Sequence, residues 1–303
     1  MATRFATLVL GGGGAKGAFQ VGAEQVLREQ GGYQWERIFG VSVGALNGLL
    51  LAQHAYQELR EVWRTIRQED VYHKVWWPVI AWRLAVQRKA GIYDHKPLRK
   101  TIEKHAAGRP FRVPLHVGRV SLVSGAYERV TSDSPEILDA VWHSATMPVI
   151  WEPVGPRALV DGGLRNVTPL GDALDHDPTE LVVVNCSPDQ PDIVPAPNDI
   201  IDAVKRSLTD ITINEIMVND VREFVRINSL IEQAKQHGCT LRNDQGKPYR
   251  YCKIGVIRPR ISLGDTLDFS RDLIEQRYEA GKEAGRVFLE QAAVRSPLER
   301  SGA

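Results

Sequence analysis

The chain has 303 residues, 43% of them hydrophobic, enough to bury a substantial core. Lys+Arg 38 against Asp+Glu 37 leaves a net charge of +1, which excludes the global positive field of a nucleic-acid binder. No apolar run approaches the ~20 residues of a membrane-spanning helix. Three cysteines (Cys186, Cys239, Cys252), odd in number and without metal-ligand spacing, read as reduced thiols of a cytosolic protein.

Phe5 to Leu10 is too short for a signal-peptide core and reads as a first strand ending in Gly11-Gly12-Gly13-Gly14-Ala15-Lys16-Gly17. Phe19, Gly22, Ala23, Val26 and Leu27 then share one helical face, and Gly31-Gly32 ends that helix. A second strand leads to Gly40-Val41-Ser42-Val43-Gly44, followed by helix signals from Ala45 to about Arg67. The opening is thus βαβα, the signature of a parallel sheet covered by helices. Residues 71 to 90 hold Trp76, Trp77 and Trp82 with Lys74, Arg83, Arg88 and Lys89. Such a mixture suits a lipid interface, or a cap packed on the main domain. Pro78 interrupts any single long helix there.

A turn at Gly91–Asp94, a helix from about Pro97 to His105 and strands at 115–124 and 127–131 come next. Ser134-Pro135 opens a helix that Thr146-Met147-Pro148 breaks. Leu159-Val160-Asp161 reads as a short strand entering Gly162-Gly163, and the apolar run Leu181 to Cys186 as a buried strand. After a proline-rich loop, helix is expected from about Ile200 to His237, a strand at Lys253–Pro259 and an amphipathic helix from Leu273 to Ala293. One domain over 5–290 is expected, with a helical part from about 200 and a tail at 291–303.

A strand that turns at once into a helix holds its apex residue in a strained conformation, side chain outward, and needs small neighbours such as Gly40 and Gly44. Ser42 is therefore a candidate nucleophile, although a serine N-cap in a βα loop would look the same. Gly12-x-Gly14-x-x-Gly17 satisfies a dinucleotide fingerprint, but Glu36 serves poorly as its acidic partner. Alternatively, the amides of Gly12, Gly13 and Gly14 converge on an oxyanion, with Lys16 fixing the loop or adding positive potential. For a base, His176 or His237 could complete a triad. Asp161, at a strand's C-terminal edge with two glycines behind it, is the other candidate.

Gly12 to Gly17, Gly40 to Gly44 and Asp161 to Gly163 together resemble the three motifs of patatin-like phospholipases, in order and roughly in spacing. Ser144-Ala145-Thr146-Met147-Pro148, Asn166 and Pro169 extend the similarity, which covers about residues 5–190. The resemblance implies a three-layer α/β sandwich with a mainly parallel central sheet. It implies a Ser42–Asp161 dyad without histidine, an oxyanion hole from Gly12 to Gly14, and support from Lys16, Gly17, Gly40, Gly44, Gly162 and Gly163. Acyl esters of (lyso)phospholipids are the expected substrates, with no metal or cofactor and no nucleic-acid partner. Peripheral membrane contact around Trp76–Trp82 fits a cytoplasmic enzyme of this kind. A nucleotide-dependent oxidoreductase and a catalytically silent membrane adaptor are the competing readings.

Overall fold

The computed structural model describes residues 3–73, 76, 78–79, 82, 86, 90–191, 193–198, 200–243 and 245–299. Its centre is a seven-stranded sheet. The strands β1 (Arg4–Leu10), β2 (Tyr33–Gly40), β4 (Leu115–Ser121), β8 (Glu180–Val184) and β9 (Lys253–Ile257) run parallel in the order β4-β2-β1-β8-β9. Two antiparallel strands join β4: β5 (Tyr127–Thr131) and β7 (Leu159–Asp161). A separate parallel pair, β3 (Gly91–Tyr93) with β6 (Val149–Trp151), stands beside it.

Successive side chains of a strand point to opposite faces, and here they sort into two cores. Leu8, Leu10, Ile38, Val182 and Val184 face the larger core, built with α1 (Ala18–Gly31), α2 (Val43–Ala52) and α3 (Tyr56–Thr65). Val9, Phe39, Leu181 and Val183 face the smaller one, with Leu170 and Ala173 of α7 (Leu170–Leu174) and Phe224 of α9 (Ile213–Gln236). Both faces are covered, as a buried parallel sheet requires, and the expected α/β sandwich is observed.

Four further helices are α4 (Gln68–Val71), α5 (Lys96–Ala106), α6 (Ile137–Ser144) and α8 (Ile200–Lys205). The last element, α10 (Arg271–Glu299), packs along α1.

Three local expectations need correction. The helix expected over 45–67 is two helices, α2 and α3, because His54 adopts a left-handed φ of 55° and reverses the chain. Gly91–Tyr93 is a strand rather than a turn, paired with Val149–Trp151. The helix from Ile200 is interrupted by a π-helical stretch over Arg206–Thr212.

The topology fixes the site. Strand β2 pairs with Ile38↔Leu115 through Gly40↔Val117, whereas β7 pairs from the opposite direction with Ser121↔Leu159 through Arg119↔Asp161. The other edge of β4 is occupied by β5. So β2 and β7 share one edge of β4 and meet end to end across Gly118, bringing Ser42 and Asp161 into the same gap.

Candidate active site

Ser42 caps the N-terminus of α2 with φ 57° and ψ −129°, a region that costs a non-glycine residue on the order of 1–3 kcal/mol. The surroundings enforce that strain. A Cβ on Gly40 would lie 2.4 Å from the Gly44 carbonyl oxygen, and one on Gly44 would lie 2.1 Å from that of Leu10. Only glycine lets strand and helix pass this closely, as the pentapeptide predicts.

Asp161 ends β7, only 4% exposed, and one of its carboxylate oxygens accepts the Gly163 N–H at 2.8 Å. Ser42 lines the same crevice as this carboxylate. Burial pushes the Asp161 carboxyl up to about 6, although the neighbouring Ser42 side chain and the Gly163 N–H favour the ionised form. A carboxylate with that affinity is a far better proton acceptor near neutrality than an exposed aspartate.

The glycine-rich loop closes the crevice over Ser42. A Cβ on Gly12 would stand 3.4 Å from the Ser42 Cβ, so the backbone runs directly past the hydroxyl. Gly13 leans on Cys186 and Gly14, at φ 55°, on Thr266, where added Cβ atoms would sit 2.4 Å from Cys186 Cβ and 2.5 Å from Thr266 O. The amides of Gly12, Gly13 and Gly14 find no hydrogen-bond acceptor among the described residues. Lys16 lines the same crevice, buried, with Nζ 3.8 Å from Asp210 Oδ1.

Several bracing residues carry no motif. The amide of Gln20 donates to Gly11 O at 2.8 Å and Val184 O at 3.1 Å, fastening the loop to β8. Asn47 donates to Gly17 O and Gln20 Oε1, and accepts from Trp63 Nε1. A lone asparagine inside Ala45-Leu46-Asn47-Gly48-Leu49 was the available signal, because a buried amide needs partners. Ser144 and Thr146 belong to the resembling block, yet their contacts with the Ser42 turn and Asp161 were not foreseen.

Neither histidine weighed for a triad lines this crevice, and the described residues around it include no histidine. His176 packs against Phe39 and His116, and His237 caps the end of α9. No group of His, Cys, Asp and Glu that could hold a metal occurs among the described residues. The free thiols of Cys186 and Cys252 are buried, and burial pushes them up to about 12 and about 11. None of the described helices is long and apolar enough to cross a membrane. Of the tryptophan-rich segment, Trp76, Val79, Trp82 and Val86 are exposed, whereas Lys74, Trp77, Arg83, Arg88 and Lys89 lie outside the described residues.

Among curated proteins none matches this chain. One of the solved structures it is similar to is the crystal structure of VipD from Legionella pneumophila, at 15% identity and a TM-score of 0.47, covering 94% of this chain and 67% of that one. The family model for patatin-like phospholipase matches residues 8–174, more than half of the sequence and all three glycine-bearing motifs. The chain therefore belongs to the patatin-like phospholipases, a family of lipid acyl hydrolases.

Proposed function

We infer that the protein hydrolyses acyl esters of phospholipids or lysophospholipids through a Ser42–Asp161 dyad. The observation that carries this reading is a strained, glycine-flanked serine sharing one crevice with a buried carboxylate whose proton affinity is raised. Ser42 Oγ attacks the ester carbonyl carbon as Asp161 accepts its proton. The negative charge that develops on the carbonyl oxygen is stabilised by amides of Gly12 to Gly14, which have no acceptor among the described residues. Collapse of the tetrahedral intermediate expels the alkoxide leaving group, which takes the proton from Asp161 and leaves Ser42 acylated. Water, deprotonated by Asp161, then attacks the acyl-enzyme and releases the fatty acid, returning the proton to Ser42.

Lys16, Gly17, Gly40, Gly44, Gly162 and Gly163 support this arrangement by shape and potential rather than by bond making. Membership of a hydrolase family favours this chemistry over a dinucleotide role for the glycine loop or a silent adaptor. Turnover of a p-nitrophenyl ester by Ser42→Ala and Asp161→Asn tests the reading. Each should lose activity by at least ~10³ while remaining folded, and undiminished turnover in either would reject the dyad.

A further inference from the structure

An apolar pocket opens beside the hydroxyl of Ser42 and runs away from the catalytic crevice between α2, α3 and α5. Its direction follows from two tethers. His95, just before α5, contacts Thr146 Oγ1 through Nε2 at 2.9 Å, close to the site. Ala106, the last residue of α5, accepts from the Gln53 amide at 3.0 Å, just past the end of α2. Helices α2 and α5 therefore run side by side, both leading outward from Ser42. Helix α3 returns in the opposite sense, and Trp63 donates to Asn47 Oδ1 at 2.8 Å on the way.

The lining follows α2 from Val43 to Leu50 and α5 from Leu98 to Ala106. At ~1.5 Å per residue these stretches span roughly 10–12 Å. An extended alkyl chain, with C–C bonds of about 1.5 Å, advances roughly 1.3 Å per carbon. Leu46, Leu50, Leu59 and Ile102 supply the walls, and Asn47 has its amide committed to Gly17, Gln20 and Trp63. Where the lining ends, at Leu50 and Ala106, polar contacts tie the three helices together: the Gln53–Ala106 bond, and Glu58 Oε1 at 2.5 Å from His105 Nδ1.

We propose that this pocket holds the acyl chain of the ester attacked at Ser42, takes one unbranched chain, and limits it to about eight to ten carbons. The proposal rests on the hydrolase reading above, because it is the hydroxyl of Ser42 that makes the pocket's occupant an acyl group. Two aspects of the lining specify the ligand. The walls offer carbon to the chain, while the reacting end meets the hydroxyl and the glycine amides. Leu50 and Leu59 are the residues that set the length.

A p-nitrophenyl ester series from acetate to palmitate tests it. For the wild type, kcat/KM should rise about two- to fourfold per methylene up to eight or ten carbons, then fall at least tenfold by palmitate. Leu50→Trp should lower the decanoate-to-acetate ratio at least 30-fold, and Leu59→Ala should move the optimum toward longer esters. A palmitate rate equal to the decanoate rate, or length profiles unchanged in both variants, would overturn the proposal. Calorimetric titration of Ser42→Ala with decanoic and palmitic acids separates it from the chemistry. Preferential decanoate binding, weakened by adding Leu50→Trp, supports the pocket even if no ester is turned over. Ester turnover without that preference rejects the pocket and leaves the hydrolase reading intact.

Discussion

The backbone N–H of Ser42 donates to Ser144 Oγ at 2.9 Å, and two residues further on the carbonyl of Thr146 accepts the N–H of Asp161 at 2.8 Å. One buried segment at the end of α6 thus fixes both halves of the proposed dyad. Ser144→Ala leaves the N–H of a strained turn without a partner, which costs about 1–3 kcal/mol. Urea denaturation should show that loss, and soluble-ester turnover should drop about tenfold as the turn loses its tether.

Acid should silence the enzyme before it unfolds it. Because burial holds the Asp161 carboxyl at about 6, kcat/KM should fall on the acid side with a midpoint near that value. The linkage to stability has the opposite sign. Below the unfolded value of 3.8 the group is protonated in both states and contributes nothing. Between 3.8 and about 6 the unfolded chain releases the proton first, and above that the folded state carries a buried charge costing about 2–3 kcal/mol. Asp161→Asn should therefore be inactive yet melt higher than wild type at pH ~8, the gain vanishing below pH ~4.

Two glycines separate folding from chemistry. Alanine at Gly44 would drive a Cβ to 2.1 Å from Leu10 O, and the variant should not accumulate as folded protein. Alanine at Gly12 meets only ordinary contacts, 3.4 Å from Ser42 Cβ. Circular dichroism should show Gly12→Ala folded, with turnover reduced by ~10²–10³ because the methyl crowds the proposed oxyanion position.

Trp76 and Trp82 are 75% and 51% exposed, so neither is core. Replacing both with alanine should leave the melting temperature within the small range of surface substitutions. Sedimentation with anionic liposomes should fall, and hydrolysis of a water-soluble ester should not. A lowered melting temperature with both substrates impaired would instead place these rings in packing.

What the sequence disclosed was whatever sterics make local. Gly40 and Gly44 announced a turn because only their missing side chains let the chain pass, and Leu181–Val184 announced a buried strand by its unbroken apolar run. The meeting of Ser42 with Asp161 was accessible only through the resemblance, since it depends on β2 and β7 sharing one edge of β4. His54 gave no warning that it would split a helix, because neither glycine nor proline marks the reversal. Three-residue strands such as Gly91–Tyr93 and Val149–Trp151 are too short to display alternation. The tether from Ser144 is a tertiary contact, and no periodicity encodes it.

The most direct test of a Ser42 nucleophile is covalent capture. The wild-type protein, treated with a fluorophosphonate probe and digested, should yield one labelled peptide carrying the adduct on Ser42. Labelling should vanish in Ser42→Ala and slow at least ~10²-fold in Asp161→Asn, where the proton acceptor is gone. An adduct mapped to another residue, or undiminished labelling of Ser42→Ala, would contradict the account.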